Sequence, residues 1–476
     1  MSQIAASLTG PQAAVLPLSR FHRTRRIGYS LADQAFSAGG MFLVNLVLAR
    51  TQTKQEYGMF ALSYSLLTFL MGLHNAAILE PFTVYGSGRY RSRFAEYSRL
   101  IAWSNVALGL LLTALVLSVC WGWHWIAPDH LPRAIVGLGL TLSVLLSGAS
   151  LRRSFYVQRK PAGAAATSLA FFATVSLSLW FAVREHVLNS FSVFLILALG
   201  WIVAGALCLG RAPQFRPSPF YPRESFLEAE PTYWREHWEY SRWVLATAFV
   251  FQFMHQGYYW LVAGFLSVNQ VGNLKALYIL IAPVEQVMIS LSFLLLPALT
   301  ARYVAGNIDG FLLLWKRYAL AMVGITLLFA LTVRLAGTPV MHILYAGKFD
   351  GLAPLLFLLA LVPLWTGIGN TFSDALRAAE RPRLVFYAYV SSALATFFAG
   401  VPLVIHFGLR GAVYGMLLSG ATYACALAVA FWFCVSQGPR GGGFIPALSA
   451  LHPRFCNKTR TSNAQPAASV NYVSLI

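Results

Sequence analysis

Apolar runs of about twenty residues recur from residue 28 to residue 436, each long enough to cross about 30 Å of hydrocarbon as an α-helix. Only helices and closed barrels satisfy every backbone polar group in lipid, and these runs lack the alternation of barrel strands. The spacing predicts helices over 28–50, 57–82, 97–120, 132–155, 162–183, 188–210, 240–265, 272–300, 311–333, 352–372, 384–406 and 411–435. The expected fold class is therefore an all-α integral membrane protein of about 12 transmembrane helices.

Only 11% of the residues are charged, against about 25% in a soluble domain. The net charge of +19 would suit nucleic acid if it were clustered on one surface, but it sits in the loops between apolar runs, where the orientation of membrane helices accounts for it. Counting alternate loops places about 27 Lys/Arg on the side holding both termini and about 8 on the other, which makes both termini cytoplasmic. Because four arginines, Arg20, Arg23, Arg25 and Arg26, precede a first run too long for a signal peptide, that run is expected to be retained as a helix. Five cysteines, with no CxxC or Cys/His spacing, point away from a disulfide framework and a zinc site, and no cofactor or metal is expected.

The segment 211–239 contains Pro213, Pro217, Pro219, Pro222 and Pro231, then Tyr233-Trp234-Arg235-Glu236-His237-Trp238-Glu239. It reads as a stiff cytoplasmic linker ending in an interfacial helix. The expected organisation is a cytoplasmic segment 1–27, a six-helix bundle 28–210, the linker, a second six-helix bundle 240–436 and a disordered cytoplasmic tail 437–476. The bundles echo one another: Gln158-Arg159-Lys160-Pro161 matches Ala379-Glu380-Arg381-Pro382, and the stretch beginning Tyr57-Gly58-Met59 matches the one beginning Val271-Gly272-Asn273. Corresponding positions lie about 214 to 221 residues apart, which suits parallel repeats about an axis along the membrane normal, although arginine-proline at a helix start also follows from charge bias alone.

The pairing of Leu46-Val47-Leu48-Ala49-Arg50 with Glu56-Tyr57-Gly58-Met59-Phe60-Ala61-Leu62 resembles the first hairpin of the multidrug/oligosaccharidyl-lipid/polysaccharide exporter superfamily, in its bacterial polysaccharide-biosynthesis flippase branch. Gly72-Leu73-His74-Asn75-Ala76-Ala77-Ile78-Leu79-Glu80-Pro81 and Leu376-Arg377-Ala378-Ala379-Glu380-Arg381-Pro382 are similar too. The resemblance implies two bundles related by pseudo-two-fold symmetry in a V around a central cavity. It also implies a bacterial inner-membrane flippase whose cargo is a polyprenyl-diphosphate-linked glycan for surface or extracellular polysaccharide. The lipid bilayer and, further along such a route, a polysaccharide polymerase and export machinery are the implied partners. This chain departs from some members in having few basic residues deep in its helices, which leaves the diphosphate's anchoring residues open.

Charge at mid-bilayer costs at least about 2.5 kcal/mol, so buried polar side chains tend to face the bundle interior or a wet cavity. Glu285, just after the helix-kinking Pro283, is a candidate for the transport pathway. Gln252, His255, Gln256 and Tyr259 form a polar stripe on the seventh predicted helix, 240–265, readable as a cavity wall or as interhelical hydrogen bonding. His255 and Glu285 could form a titratable pair. Asp33 and Glu80 lie about a turn inside their helices, where salt bridges to the arginines of 23–26 and 89–93 are favoured over a coupling role. For the diphosphate the candidate cations are Arg50, Lys275, Arg89, Arg152 and Arg377, with helix-end snorkelling as the competing reading.

Three functions remain open from sequence. A flippase working by alternating access is the first. A cation-coupled exporter of small molecules or drugs, which would use Asp33, Glu80 and Glu285, is the second. A membrane enzyme of polysaccharide polymerisation is the third. No enzyme activity is expected, because no acidic pair, Gly-rich phosphate loop or sizeable external loop is present.

Overall fold

The computed structural model describes residues 20–87, 90–91, 93–126, 133–208 and 223–436, all helical apart from short turns. Arg89, the proline-rich part of the linker (211–222), the segment 1–19 and the tail 437–476 lie outside the described residues.

Ten described stretches are long and apolar enough to cross a membrane. The last of them, Pro382–Phe433, has 52 residues, about 78 Å of helix, which is enough for two crossings. It divides at Gly408, whose φ of 58° and ψ of −136° lie where a side chain would be strained. The polar helix α8 (Arg223–Phe265) completes the set of about 12.

The first half comprises α1 (Arg20–Thr51), α2 (Lys54–His74), a π-turn (Asn75–Leu79) leading into α3 (Glu80–Ser87), α4 (Phe94–Ile126), α5 (Arg133–Val157), α6 (Pro161–Arg184) and α7 (Ser190–Cys208). The second half comprises most of α8, then α9 (Val268–Ile279), α10 (Ala282–Val304), α11 (Ile308–Tyr345), α12 (Ala353–Leu359), α13 (Val362–Ala378), α14 (Pro382–Ala395) and, after a π-turn (Thr396–Gly400), α15 (Val401–Ser436). Helices α1, α5, α6 and α7 pack on one another, as do α10, α11, α13 and α15, while α2 meets α8 and α9 across the join.

The repeat is visible in the backbone. Arg159 and Glu380 both adopt left-handed conformations, at φ 60° and 59°. The amide behind each closes the same turn, Lys160 N donating to Phe155 O (2.9 Å) and Arg381 N to Leu376 O (2.8 Å). Proline then starts the next helix in both places, where its missing N–H costs nothing. Likewise Thr53 caps α2 and Ser267 caps α9, each side chain accepting from the amide three residues on. These matched devices go beyond what charge bias alone would produce.

At the start of α2 and α9 the repeats touch one another. A Cβ on Gly58 would lie 1.9 Å from the carbonyl oxygen of Val268, and one on Gly272 would lie 2.6 Å from that of Lys54. The contact is reciprocal, since each glycine meets the residue four positions before its counterpart. It closes the face opposite the basic loops. On that face Lys348 also reaches across, its Nζ donating to the carbonyls of Ala49 (2.9 Å), Arg50 (3.0 Å) and Gln52 (2.5 Å) at the end of α1.

Helix α8 joins the halves. Pro81 has no N–H to offer the carbonyl four residues back, and that oxygen, on Ala77, instead meets His237 Nε2 (2.8 Å) and accepts from Ser241 Oγ (2.8 Å). Tyr233 and His237 are buried in an aromatic cluster with Tyr90 and Tyr97, whereas Trp234 and Trp238 on the other face are exposed. The expected interfacial helix is thus the first turns of a continuous α8, docked on the first half by one stripe. Further on, Tyr258 wedges between Gly400 and Gly415 of the second half, where either glycine's Cβ would lie within 2.7 Å of its hydroxyl.

Candidate functional site

A cavity of about 440 Å³ opens within the first half, between α1, α2, α5, α6 and α7. Its wall carries Met41, Met71, Phe171 and Trp201 together with the polar Gln34, Ser37, His74 and Asn75, and Tyr64 stands at one end. Arg152, Arg153 and Tyr156 lie at the other end, towards the basic loops, and among the described residues no Asp or Glu lines it.

The two arginines have different duties. Arg152 is committed to Asp33: its Nε donates to Oδ1 (2.8 Å) and its Nη2 to Oδ2 (2.6 Å). Tyr156 and Ser168 add hydroxyl bonds of 2.5 Å each, so the fully buried carboxylate accepts from three side chains. Asp33 therefore forms the expected structural salt bridge, but its partner is Arg152 on α5 rather than an arginine of 23–26. Among the described residues Arg153 makes a single hydrogen bond, from Nη2 to Asn75 Oδ1 (2.8 Å). A guanidinium has five N–H donors, so four of them remain for a ligand. Asn75 begins the π-turn of α2, a distortion often found at functional sites. His74, one residue earlier, bonds Asn105 of α4, which ties the turn to its neighbour.

A second cluster lies where α2, α8, α9 and α10 meet. The helix carrying Pro283 divides at Leu280 and Ile281 into α9 and α10, so Glu285 falls in the first turn of α10, where the helix dipole favours a carboxylate. Tyr278 donates to Glu285 Oε1 (2.6 Å). Lys275, 7% exposed, has its ammonium 4.6 Å from the ring centre of Tyr64 and 5.7 Å from that of Tyr259. Glu285 lies within Coulombic reach of it without a contact ion pair.

The other predicted residues are dispersed. His255 is exposed and stacks on Phe251, its Nδ1 3.0 Å from that residue's carbonyl. It makes no bond to Glu285, which accepts from Tyr278, so the two do not pair in this conformation. Gln252 fills the notch left by Gly72 on α2, and Gln256 is half-buried one turn further on. Glu80 accepts from Tyr240 (3.2 Å) and acts electrostatically on Arg153. Arg50 is exposed, and it is its carbonyl, not its guanidinium, that joins the Lys348 contact.

No family model and no curated protein matches the sequence. Solved structures do match. An inward-facing multidrug resistance MATE family transporter of the MOP superfamily superposes on 87% of this chain and 98% of its own, with a TM-score of 0.66 at 12% identity. The chain has the MOP transporter fold. The inward closed lipid II flippase MurJ shares it over 85% of this chain and 87% of its own, with a TM-score of 0.63 at 15% identity. So does a MOP superfamily transporter from Pyrococcus furiosus described by the reverse polarity of its binding pocket, with a TM-score of 0.53 at 11% identity over 87% of this chain and 93% of its own.

An outward-facing MATE transporter gives a TM-score of only 0.54. Within the MOP fold, three residues not singled out as site candidates in the sequence stand out. Arg153 was hidden beside Arg152, because helix rotation decides which of two adjacent arginines meets a carboxylate. Lys348 lies in a loop. Asp374, buried and accepting from Tyr318 (2.9 Å) and Ser292, was missed because α13 runs to Ala378, beyond the expected end at 372.

Proposed function

We propose that this chain is a flippase that carries a polyprenyl-diphosphate-linked oligosaccharide across the bacterial inner membrane by alternating access. The basic face is cytoplasmic in this reading. The observation that carries it is the polarity of the cavity, which presents arginine at its cytoplasmic end, aromatic rings above and, among the described residues, no carboxylate on its wall. A guanidinium with four uncommitted donors suits a diphosphate, Trp201 and Tyr64 offer faces for sugar rings, and the prenyl tail stays in lipid.

Arg153→Gln tests this. Each charge-assisted hydrogen bond is worth about 1.5–3 kcal/mol, so loss of a bidentate contact lowers transport of the lipid-linked cargo in proteoliposomes at least tenfold. Because the Asp33–Arg152 bond is untouched, the variant inserts and melts like the parent. Wild-type transport by Arg153→Gln overturns the reading.

A cation-coupled exporter of small molecules is the second reading, favoured by the MATE neighbours and by the half-buried Glu285. Under either reading Glu285 is a candidate coupling residue. Glu285→Gln is expected to impair export while leaving the protein inserted; unaltered export would remove Glu285 from the pathway. Changed tolerance to cationic drugs on deletion of the gene, with normal surface polysaccharide, would favour the exporter.

A further inference from the structure

Lys275 is held in an unusual way. Its ammonium faces two tyrosine rings, and among the described residues it meets no hydrogen-bond acceptor and no carboxylate at contact distance. Cation–π contacts compensate only part of the cost of burying an ammonium. A lysine retained purely for packing would be expected to have a carboxylate or carbonyl on its Nζ, as Lys348 has three carbonyls.

The nearer of the two rings over Lys275, that of Tyr64, comes from the other half of the molecule. Tyr64 is on α2 and Lys275 on α9. These two helices also form the reciprocal Gly58–Gly272 contact, two turns or less away along each of them. Any motion that parts α2 from α9 on the outer face therefore draws the Tyr64 ring off the ammonium. Tyr64 also lines the cavity whose inner end holds Arg153. From Tyr64 to Asn75, the partner of Arg153, is about 16 Å along α2, so Tyr64 stands between the cavity that holds Arg153 and the ammonium of Lys275.

Resting on the flippase reading, we propose that Lys275 is a second, outward anion site for the cargo's diphosphate, masked by Tyr64 while the outer face is closed and uncovered when it opens. Arg153 receives the oxyanion from the cytoplasmic side. Lys275 takes it over as the halves part, so the mask prevents both cations from holding the cargo at once.

The test uses the full chain in nanodiscs, with farnesyl diphosphate as a sugar-free probe and affinity read by calorimetry. Gly58→Val supplies an outward-open background, and Gly272→Val serves if the first variant does not fold. Lys275→Gln is expected to weaken binding at least tenfold in the opened background and less than twofold in the parent, with Lys275→Arg retaining most of the affinity. Tyr64→Leu, which removes the mask, is expected to strengthen binding severalfold in the otherwise unaltered chain. Equal effects of Lys275→Gln in both backgrounds, or none in the opened one, overturn the proposal, as does weaker binding by Tyr64→Leu. Arg153→Gln in the closed parent is the separate control: unchanged affinity there sinks the flippase reading rather than the masked site.

Discussion

Gly58→Val is expected to abolish most transport and leave the outer face open, so that a cysteine placed at Tyr64 reacts with an impermeant reagent added from outside. A Cβ at this position would sit 1.9 Å from the Val268 carbonyl oxygen, and the obstacle is backbone, which has no rotamer to escape into. Overpacking of this kind costs about 1–3 kcal/mol and occasionally more. Turning a 99:1 preference for the closed form into its reverse takes about 5.5 kcal/mol, so Val should shift the equilibrium further than Ala, and the two form a graded series. Gly272→Val should act in the same direction, because its Cβ strikes the Lys54 carbonyl of the same interface. The two effects should add to less than their sum, since the first substitution already separates the surfaces that the second would force apart. Parent-like labelling together with parent-like transport in Gly58→Val would show that this contact does not gate the path.

That glycine pair also shows how far the sequence could be read. The periodicity of apolar runs is imposed by the bilayer on every helix, so the helices and the doubling of the fold were legible. Tyr57-Gly58 and Val271-Gly272 could even be recognised as counterparts. Their contact with each other could not, because a repeat alignment says which positions correspond, not which ones meet. Helix rotation limited the site in the same way. Asp33 was expected to pair with charge near it in sequence, whereas α5 supplies Arg152 from 119 residues away. Glu285 and Lys275 were both legible as charges in an apolar setting, and Tyr259 as part of a polar stripe, but not as neighbours of one another and of Tyr64, since helix rotation decides which of these faces meet. Pro81 was part of a family-like stretch, but its use, freeing the Ala77 carbonyl to hold α8, required both helices in place.

Asp33→Ala should be the most destabilising substitution in the first half, because it leaves Arg152, Tyr156 and Ser168 all pointing at an empty position. Removing one partner of a buried ion pair costs about 3–5 kcal/mol, which should appear as a large fall in melting temperature in detergent. Arg152→Ala should cost less, since the carboxylate would still accept from Tyr156 and Ser168 and the arginine is itself 22% exposed. The double substitution Asp33→Leu with Arg152→Met replaces the pair by apolar groups and should recover much of the loss, as buried pairs often allow. Asp33→Asn separates structure from coupling, because its amide oxygen can still accept while its charge is gone. If Asp33 only braces α1 against α5 and α6, transport and melting should fall together along this series. A variant that melts like the parent but no longer transports would instead make Asp33 a working part of the cycle, and the cavity's polarity would then have to be reconsidered with a carboxylate that can be released from Arg152.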